Sequence, residues 1–454
     1  MPPTRRSTAR RARQWETRVP TSRLPTIGPP SMTSNNGSRH QTSGTATLIG
    51  KGDIRMSALR STTRNRDHRT RRGGLGVRKT TVAVVAVAAG SLLAACGGSG
   101  SSEPTGAKGG TDEAAVSAAQ TRLDPYQQAI TKISQDVPLT AKPAAGKLVY
   151  EIHNNVPVAA QLTEPYEKAT AALGWKLKTI LMDPTDPQAP SNALKQAVAA
   201  GADYIGISAA SGEAMSAGLA VTKKAGIPVF LEGGPTATVP EGKKNGLYSN
   251  GDHLWIQDAT FRLLDEMIVD SKGAGDVLLL STPDYPALAP LAGNAKKSLA
   301  KSCPKCAYQS LDISVPDLIA GSAPQSIVAA LRKNSDITYV VAPFDALALG
   351  LPEAMKSAGI KGVKLLLGSP DPTQVPGLAK GTFMALAPQP VESVVWANVD
   401  QMARYSLGMD LLVDQHALEP YPVWSEKNPP AAGQTDYAGP DDYESQWKAL
   451  WKIS

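Results

Sequence analysis

Cysteine is scarce in this chain of 454 residues, with only Cys96, Cys303 and Cys306. Cys303 and Cys306 form a single C-P-K-C, which supplies too few ligands for a zinc site. A thioredoxin-like redox centre follows a strand and opens a helix. Here a helical pattern (292–300) precedes the pair and a strand pattern (308–313) follows it, the wrong context. Histidine is sparse too. Past residue 96 only His153, His253 and His416 remain, and no Ser/His/Asp set or metal cluster is spaced for catalysis. No glycine-rich phosphate loop follows a strand. The nearest match, Gly273-Ala274-Gly275, precedes one, on the wrong side of a sheet. These gaps exclude a Rossmann-type enzyme and predict neither cofactor nor metal.

Basic charge is missing where a nucleic-acid binder would need it. The pI near 9.1 and the net charge of +7 come entirely from one end. Residues 1–79 carry 18 Lys and Arg against 3 acids, a net of +15, so the rest of the chain is at −8. No electrostatic footprint for DNA survives in the part that folds.

The basic end leads into RRGGLGVRKTTVAVVAVAAGSLLAAC, residues 71–96. Arg71, Arg72, Arg78 and Lys79 precede an uncharged apolar run (80–95) that closes on small residues, the order of an export signal. The run is shorter than the roughly 20 residues that span a bilayer. Leu93-Ala94-Ala95-Cys96 resembles a bacterial lipobox. That likeness implies that Cys96 is acylated, becomes the new amino terminus and holds the protein on the outer face of the cell membrane. Other readings are an ordinary signal with a chance cysteine, or a retained short anchor. Residues 1–55 lack apolar periodicity and read as translation upstream of a start at Met56, with a disordered basic arm as the alternative. On this reading residues 1–95 are removed, and residues 96–145 form a Gly/Ser-rich tether followed by a helical stretch over 112–137. In a chain that leaves the cytoplasm, Cys303 and Cys306 read as a small structural disulfide.

From residue 147 strand and helix signals alternate. Strands are predicted at 148–152, 177–181, 204–207 and 229–231, with helices at 157–173, 191–200 (capped by Ser191) and 212–225 between them. A second series follows, with strands at 276–280, 308–313, 337–341 and 363–367 and helices at 255–269, 288–300, 324–333 and 346–358. A long helix is predicted over 391–407. Such βα alternation implies parallel sheets covered on both faces. The fold class is α/β, with two doubly wound parallel-sheet lobes, a hinge and a cleft between them. The expected partition is 146–249 with 389–418 as the first lobe and 250–388 with 419–454 as the second.

The segments KLVYEIHNN (147–155), VAAGADYIGIS (198–208), KKAGIPVFL (223–231), TYVVAPFDALALG (338–350) and AMKSAGIKGVKLLLG (354–368) keep a recognisable order and spacing. Over roughly residues 146–410 the chain resembles the periplasmic sugar-type solute-binding proteins of ABC importers, which share a fold with LacI-type repressors. The resemblance implies a monomer that captures a small-molecule solute and passes it to permease and ATPase subunits, with the membrane reached through a lipid anchor. It also implies that the cleft is lined by loops after the strands. In the first lobe these carry His153, Asn154, Asn155, Ser208, Ser211 and Glu232. In the second they carry Asp284, Tyr285, Phe344, Asp345 and Asp371, with Gln389 at a crossover. Plainer roles stand beside these. Asn154 and Asn155 cap a helix, Phe344 is core, Asp345 is an N-cap, and His153 is a satisfied loop histidine.

The chain departs from the sugar-binding pattern. Glu232-Gly233 stands where an Asp-Arg pair is usual, and Ala289-Pro290-Leu291 where an arginine often lies. Phe344 and Pro370 replace polar positions. Unmatched sugar hydroxyls cost about 1–3 kcal/mol each when buried, so the expectation is a less polar or aromatic-bearing solute. Two other functions share the fold. A receptor signalling to a membrane sensor has the same sequence features. A LacI-type regulator would need a helix-turn-helix in residues 1–70, which lack the apolar periodicity for one.

Overall fold

The computed structural model describes residues 111–453, apart from 156, 209, 235–238, 250–252, 286 and 417. The export signal, Cys96 and the Gly/Ser-rich tether lie outside the described residues.

Helix α1 (Glu113–Leu123) begins where the Asp112 carboxylate accepts the Ala115 N–H at 3.1 Å. It stops far short of the predicted residue 137. Pro125 follows in a 3-10 turn (Asp124–Gln127), and its ring removes the donor that a longer α-helix would use. The first sheet and its helices then run β1 (Leu148–Asn154), α2 (Thr163–Ala172), β2 (Lys176–Met182), α3 (Ala189–Ala199), β3 (Tyr204–Ser208), α4 (Gly212–Ala225), β4 (Val229–Glu232) and β5 (Leu247–Ser249). The second runs α5 (His253–Asp270), β6 (Asp276–Ser281), α6 (Leu291–Ser302), β7 (Ala307–Asp312), α7 (Ala323–Lys333), β8 (Tyr339–Ala342), α8 (Leu351–Ser357), β9 (Lys364–Gly368) and β10 (Ala385–Ala387). The chain ends in α9 (Val391–Ser406), β11 (Trp424–Ser425) and α10 (Tyr443–Leu450).

Three predicted helices are cut differently, each for a local reason. The single helix expected over 157–173 is broken into Pro157–Ala160 and α2. Pro165 lies in the first turn of α2, where its missing N–H is harmless, but it could not have bonded residue 161 in a continuous helix. The helix expected over 346–358 divides into a 3-10 turn (Asp345–Ala348) and α8, because Gly350 turns left-handed at φ 69° ahead of Pro352. Ser191 is not a cap. Helix α3 starts earlier, with Pro190 in its first turn, and leaves Ser191 buried inside it.

The first sheet is wholly parallel in the order β2-β1-β3-β4-β5. The second has the order β11-β10-β9-β8-β6-β7, parallel except for the β10–β11 pair. Both lobes are therefore doubly wound. Alternate residues of β1 and β3 face opposite ways. Val149 and Tyr204 join Tyr166 of α2 and Trp396, Val399 and Met402 of α9. Ile152, Ile205 and Ile207 meet Leu194 of α3 and Met215 of α4. In the second lobe, Val277, Leu279 and Val341 pack on Leu263 and Met267 of α5, while Leu278, Leu280 and Val340 pack on Ile327 of α7. A disulfide joins Cys303 and Cys306 between α6 and β7.

The two ends of the chain depart from the expected partition. Leu123 and Tyr126 pack in the second lobe, where Arg122 pairs with Asp265 at 2.5 Å. Ile133 and Leu139 pack in the first. Residues 112–139 therefore form a strap across both lobes. The tail crosses too. Tyr421 and Val423 belong to the second lobe, but Tyr443, Trp447 and Trp451 sit in the core of the first, against Trp396. The expectation that all of 419–454 joins the second lobe fails because these aromatics complete the cover over α9.

Glu419 fastens strap to tail. Its carboxylate accepts from the Ser134 hydroxyl, from the Ser134 N–H at 3.3 Å and from the Ser393 hydroxyl at 2.6 Å. Burial raises its pKa above the ordinary 4.5, against those bonds and His416. Above 4.5 the folded chain therefore holds this proton more tightly than the unfolded chain does. Stability falls as pH rises from 4.5 through the raised value. Glu419→Gln should flatten that fall, measured as urea-unfolding free energies from pH about 4 to about 8.

Candidate binding cleft

In an open α/β sheet the strand order reverses at one point, and ligands sit beyond the carboxyl ends of the strands there. The reversal lies between β1 and β3 in the first lobe and between β6 and β8 in the second. A cavity of about 600 Å³ lies against these ends in both lobes. Ser208 and Glu232, which close β3 and β4, form one wall with Gln161, Leu162 and Asn398. Asp345 and residues 369–372, which follow β8 and β9, form the other. Gln389, Glu392 and residues 435–438 lie at the crossovers.

The wall is positioned by close packing. Glu232 is 5% exposed and accepts a hydrogen bond from the Tyr166 hydroxyl. Gly206 of β3 makes room for that bond, since a Cβ there would lie 2.9 Å from the Tyr166 oxygen. On the other side a Cβ on Gly368 would lie 2.3 Å from the Pro343 carbonyl, so only glycine lets the β8 and β9 ends approach this closely. The loops beyond them are braced. Asp371 accepts the Thr373 N–H at 2.8 Å and its hydroxyl at 2.6 Å. Gln374 accepts the Asp371 N–H at 2.9 Å and donates to the Asp345 carbonyl at 3.2 Å. Burial raises the Asp345 pKa, and repulsion from Asp371 adds to it, against the bond from the Ala346 N–H.

Of the residues expected at the site, Ser208, Glu232, Asp345, Asp371 and Gln389 lie on the cavity wall. The others lie elsewhere. His153 is 2% exposed on β1, with Nδ1 2.9 Å from the Asn154 carbonyl and Nε2 3.4 Å from the Thr163 hydroxyl. It is a satisfied interior histidine. Asn154 is half-buried at the end of β1, and the Asn155 N–H donates to the Met182 carbonyl at 2.8 Å. Ser211 caps α4 through the Ala214 N–H at 3.1 Å. Asp284 accepts the Val315 N–H at 2.8 Å, tying the β6 loop to the β7 loop. Tyr285 and Phe344 meet each other edge-on, ring centres 6.4 Å apart. Asp345 opens the 3-10 turn without capping a long helix.

Apolar side chains such as Leu162, Val375, Val391, Val394 and Val395 share this wall with acidic ones. Among the described residues Tyr437 is the only aromatic one on it, and carboxylates are frequent there. Asn398, Asp436 and Tyr437 were not anticipated. A signal for Asn398 exists in the sequence, an amide inside the apolar VVWANV run of α9, where it is 2% exposed. Among the described residues no group of His, Cys, Asp or Glu is arranged to hold a metal. Among them, too, no helix is long and apolar enough to cross a membrane.

The sequence profile of the periplasmic binding protein domain matches residues 151–409. Among solved structures, an ABC transporter solute-binding protein from Burkholderia graminis C4D1M, in complex with D-arabinose, aligns with a TM-score of 0.52 at 15% identity, covering 63% of this chain and 98% of that one. One from Agrobacterium vitis, bound with alpha-D-tagatopyranose, aligns at 0.51 and 17% identity, covering 64% and 100%. An ABC sugar transporter subunit from Rhodobacter sphaeroides 2.4.1 aligns at 0.50 and 17%, covering 63% and 99%. At such identities the likeness is one of fold. No curated protein matches the chain.

Proposed function

This chain belongs to the periplasmic binding protein domain family, and on that premise we propose that it captures a small polar solute outside the cytoplasm for an ABC import system. The observation that carries this reading is the 600 Å³ cavity walled by strand ends of both lobes. A solute seated there touches both halves at once, so its binding energy favours the closed form over the open one. Permease and ATPase subunits are the partners, and no chemistry is done on the solute. The solutes bound by the structural relatives, D-arabinose and alpha-D-tagatopyranose, set the size class. Acylation of Cys96 would hold the receptor at the outer face of the membrane, with residues 97–110 as tether. Two acyl chains are needed for a lasting hold, since one binds reversibly.

The test is a thermal-shift screen of the full chain against sugars, polyols, amino sugars, diamines, nucleosides and amino acids. A ligand at 100-fold over its dissociation constant adds about 2.7 kcal/mol of apparent stability. At least one class should raise the melting temperature and draw the lobes together in small-angle scattering. A screen in which no class does either removes the reading.

A further inference from the structure

The cleft is lopsided in charge. Glu164, Glu232, Asp345, Asp371, Glu392 and Asp436 line it, and among the described residues no Lys, Arg or His does. Lys168, off the wall, balances part of this at one edge, 3.1 Å from Glu164 and 3.9 Å from Glu392. Asp345 and Asp371 line it from the second lobe, beyond the ends of β8 and β9. Their partners are N–H groups and a hydroxyl of their own loops, with no cation among the influences on Asp345. Glu232, held by the Tyr166 hydroxyl, lines the same space from the first lobe.

The two-lobed cavity makes the site, and the carboxylates select its occupant. Concave low-dielectric walls of one sign concentrate field lines and attract the opposite charge. Hydrogen-bond capacity points the same way. A carboxylate only accepts, whereas an ammonium offers three donors and no acceptor. A neutral polyol hydroxyl also needs a donor for its own oxygen, and the donors on this wall are a few amides and hydroxyls. Resting on the reading of the cleft as a solute site, we propose that it selects a solute bearing a protonated amine on a small polar skeleton, with Asp345 and Asp371 as the charge-selecting pair and Glu232 closing on it from the other lobe. Such a cation relieves the like-charge opposition within the pair, and closure removes water that would screen the attraction.

The experiment uses matched probes that differ in the amine, D-glucosamine against D-glucose and 1,4-diaminobutane against butane-1,4-diol. Titration calorimetry on the full chain at neutral pH reads each pair. The amine member of at least one pair should bind at least ~10-fold tighter than its neutral twin. Its affinity should fall as salt rises. In D345N/D371N, where the amide oxygens keep the loop hydrogen bonds, the preference should vanish. D345N alone should reduce it by an intermediate amount, and serves should the double variant not fold. Equal or tighter binding of the neutral twins overturns amine selection and leaves solute capture standing. Absence of binding by either amine at millimolar concentration also overturns it, while the broad screen above decides separately whether the cleft binds any solute.

Discussion

Asp400→Ala is expected to lower folding stability by about 3–5 kcal/mol, the range seen when one partner of a buried ion pair is removed. Asp400 is fully buried on α9 and serves several donors at once. Arg404 Nε donates to it at 2.6 Å, His416 Nε2 lies 2.7 Å away, and Trp451 Nε1 donates at 2.7 Å. Arg404 is itself fully buried. Its Nη2 reaches the Val137 carbonyl at 2.5 Å, and its Nη1 finds no acceptor among the described residues. Without Asp400 that guanidinium would be left with one carbonyl in a site closed to water. Strap, α9 and tail meet at this carboxylate, so the loss reaches across the first lobe. The measurement is a shift in urea midpoint at unchanged slope. Pairing the change with Arg404→Met should return much of the loss, since the orphaned charge then goes as well. A loss below about 1 kcal/mol would mean that water reaches the group.

Trp447→Ala should cost about as much, 3–5 kcal/mol, through a different term. Trp447 is fully buried, stacks 15° from parallel on His416 and lies 6.3 Å from Trp451. Its ring nitrogen is 3.4 Å from the Ser393 hydroxyl. Helix α10 has barely two turns, too few to persist in water without packing. Emptying the indole site therefore releases the tail from α9 as well as opening a void. Limited proteolysis should cut the variant between Gly439 and the carboxyl end while the native chain resists, and Trp447→Phe should lie between them. Unchanged resistance in Trp447→Ala would show that the remaining aromatics hold the tail unaided.

The parallel strands were the most legible part of the chain, because burial on both faces writes them as short apolar runs such as VLLL in β6 and LLL in β9. Helix ends were less legible. Pro165 and Gly350 break helices whose apolar spacing continues across the break, so periodicity alone runs through them. The cleft was half visible. Residues that close strands, such as Ser208 and Glu232, follow from topology. Asn398 on α9 and Asp436 in the tail do not, since they reach the wall only after the chain has crossed between lobes. That Tyr285 and Phe344 pack edge-on against each other is not written in the sequence, since they lie in loops far apart along the chain.

The chain goes from one lobe to the other between Tyr126 and Ile133, between β5 and α5, between β10 and α9, between Val413 and Tyr421, and between Tyr437 and Tyr443. Several connections that join the same two bodies behave like a leaf spring. They yield to flexing but resist stretching, sliding and wringing, because each of those would have to lengthen some ribbon while slackening its neighbour. Any movement of one half against the other must therefore bend all of these connections together, which couples the strap and the tail to the width of the mouth.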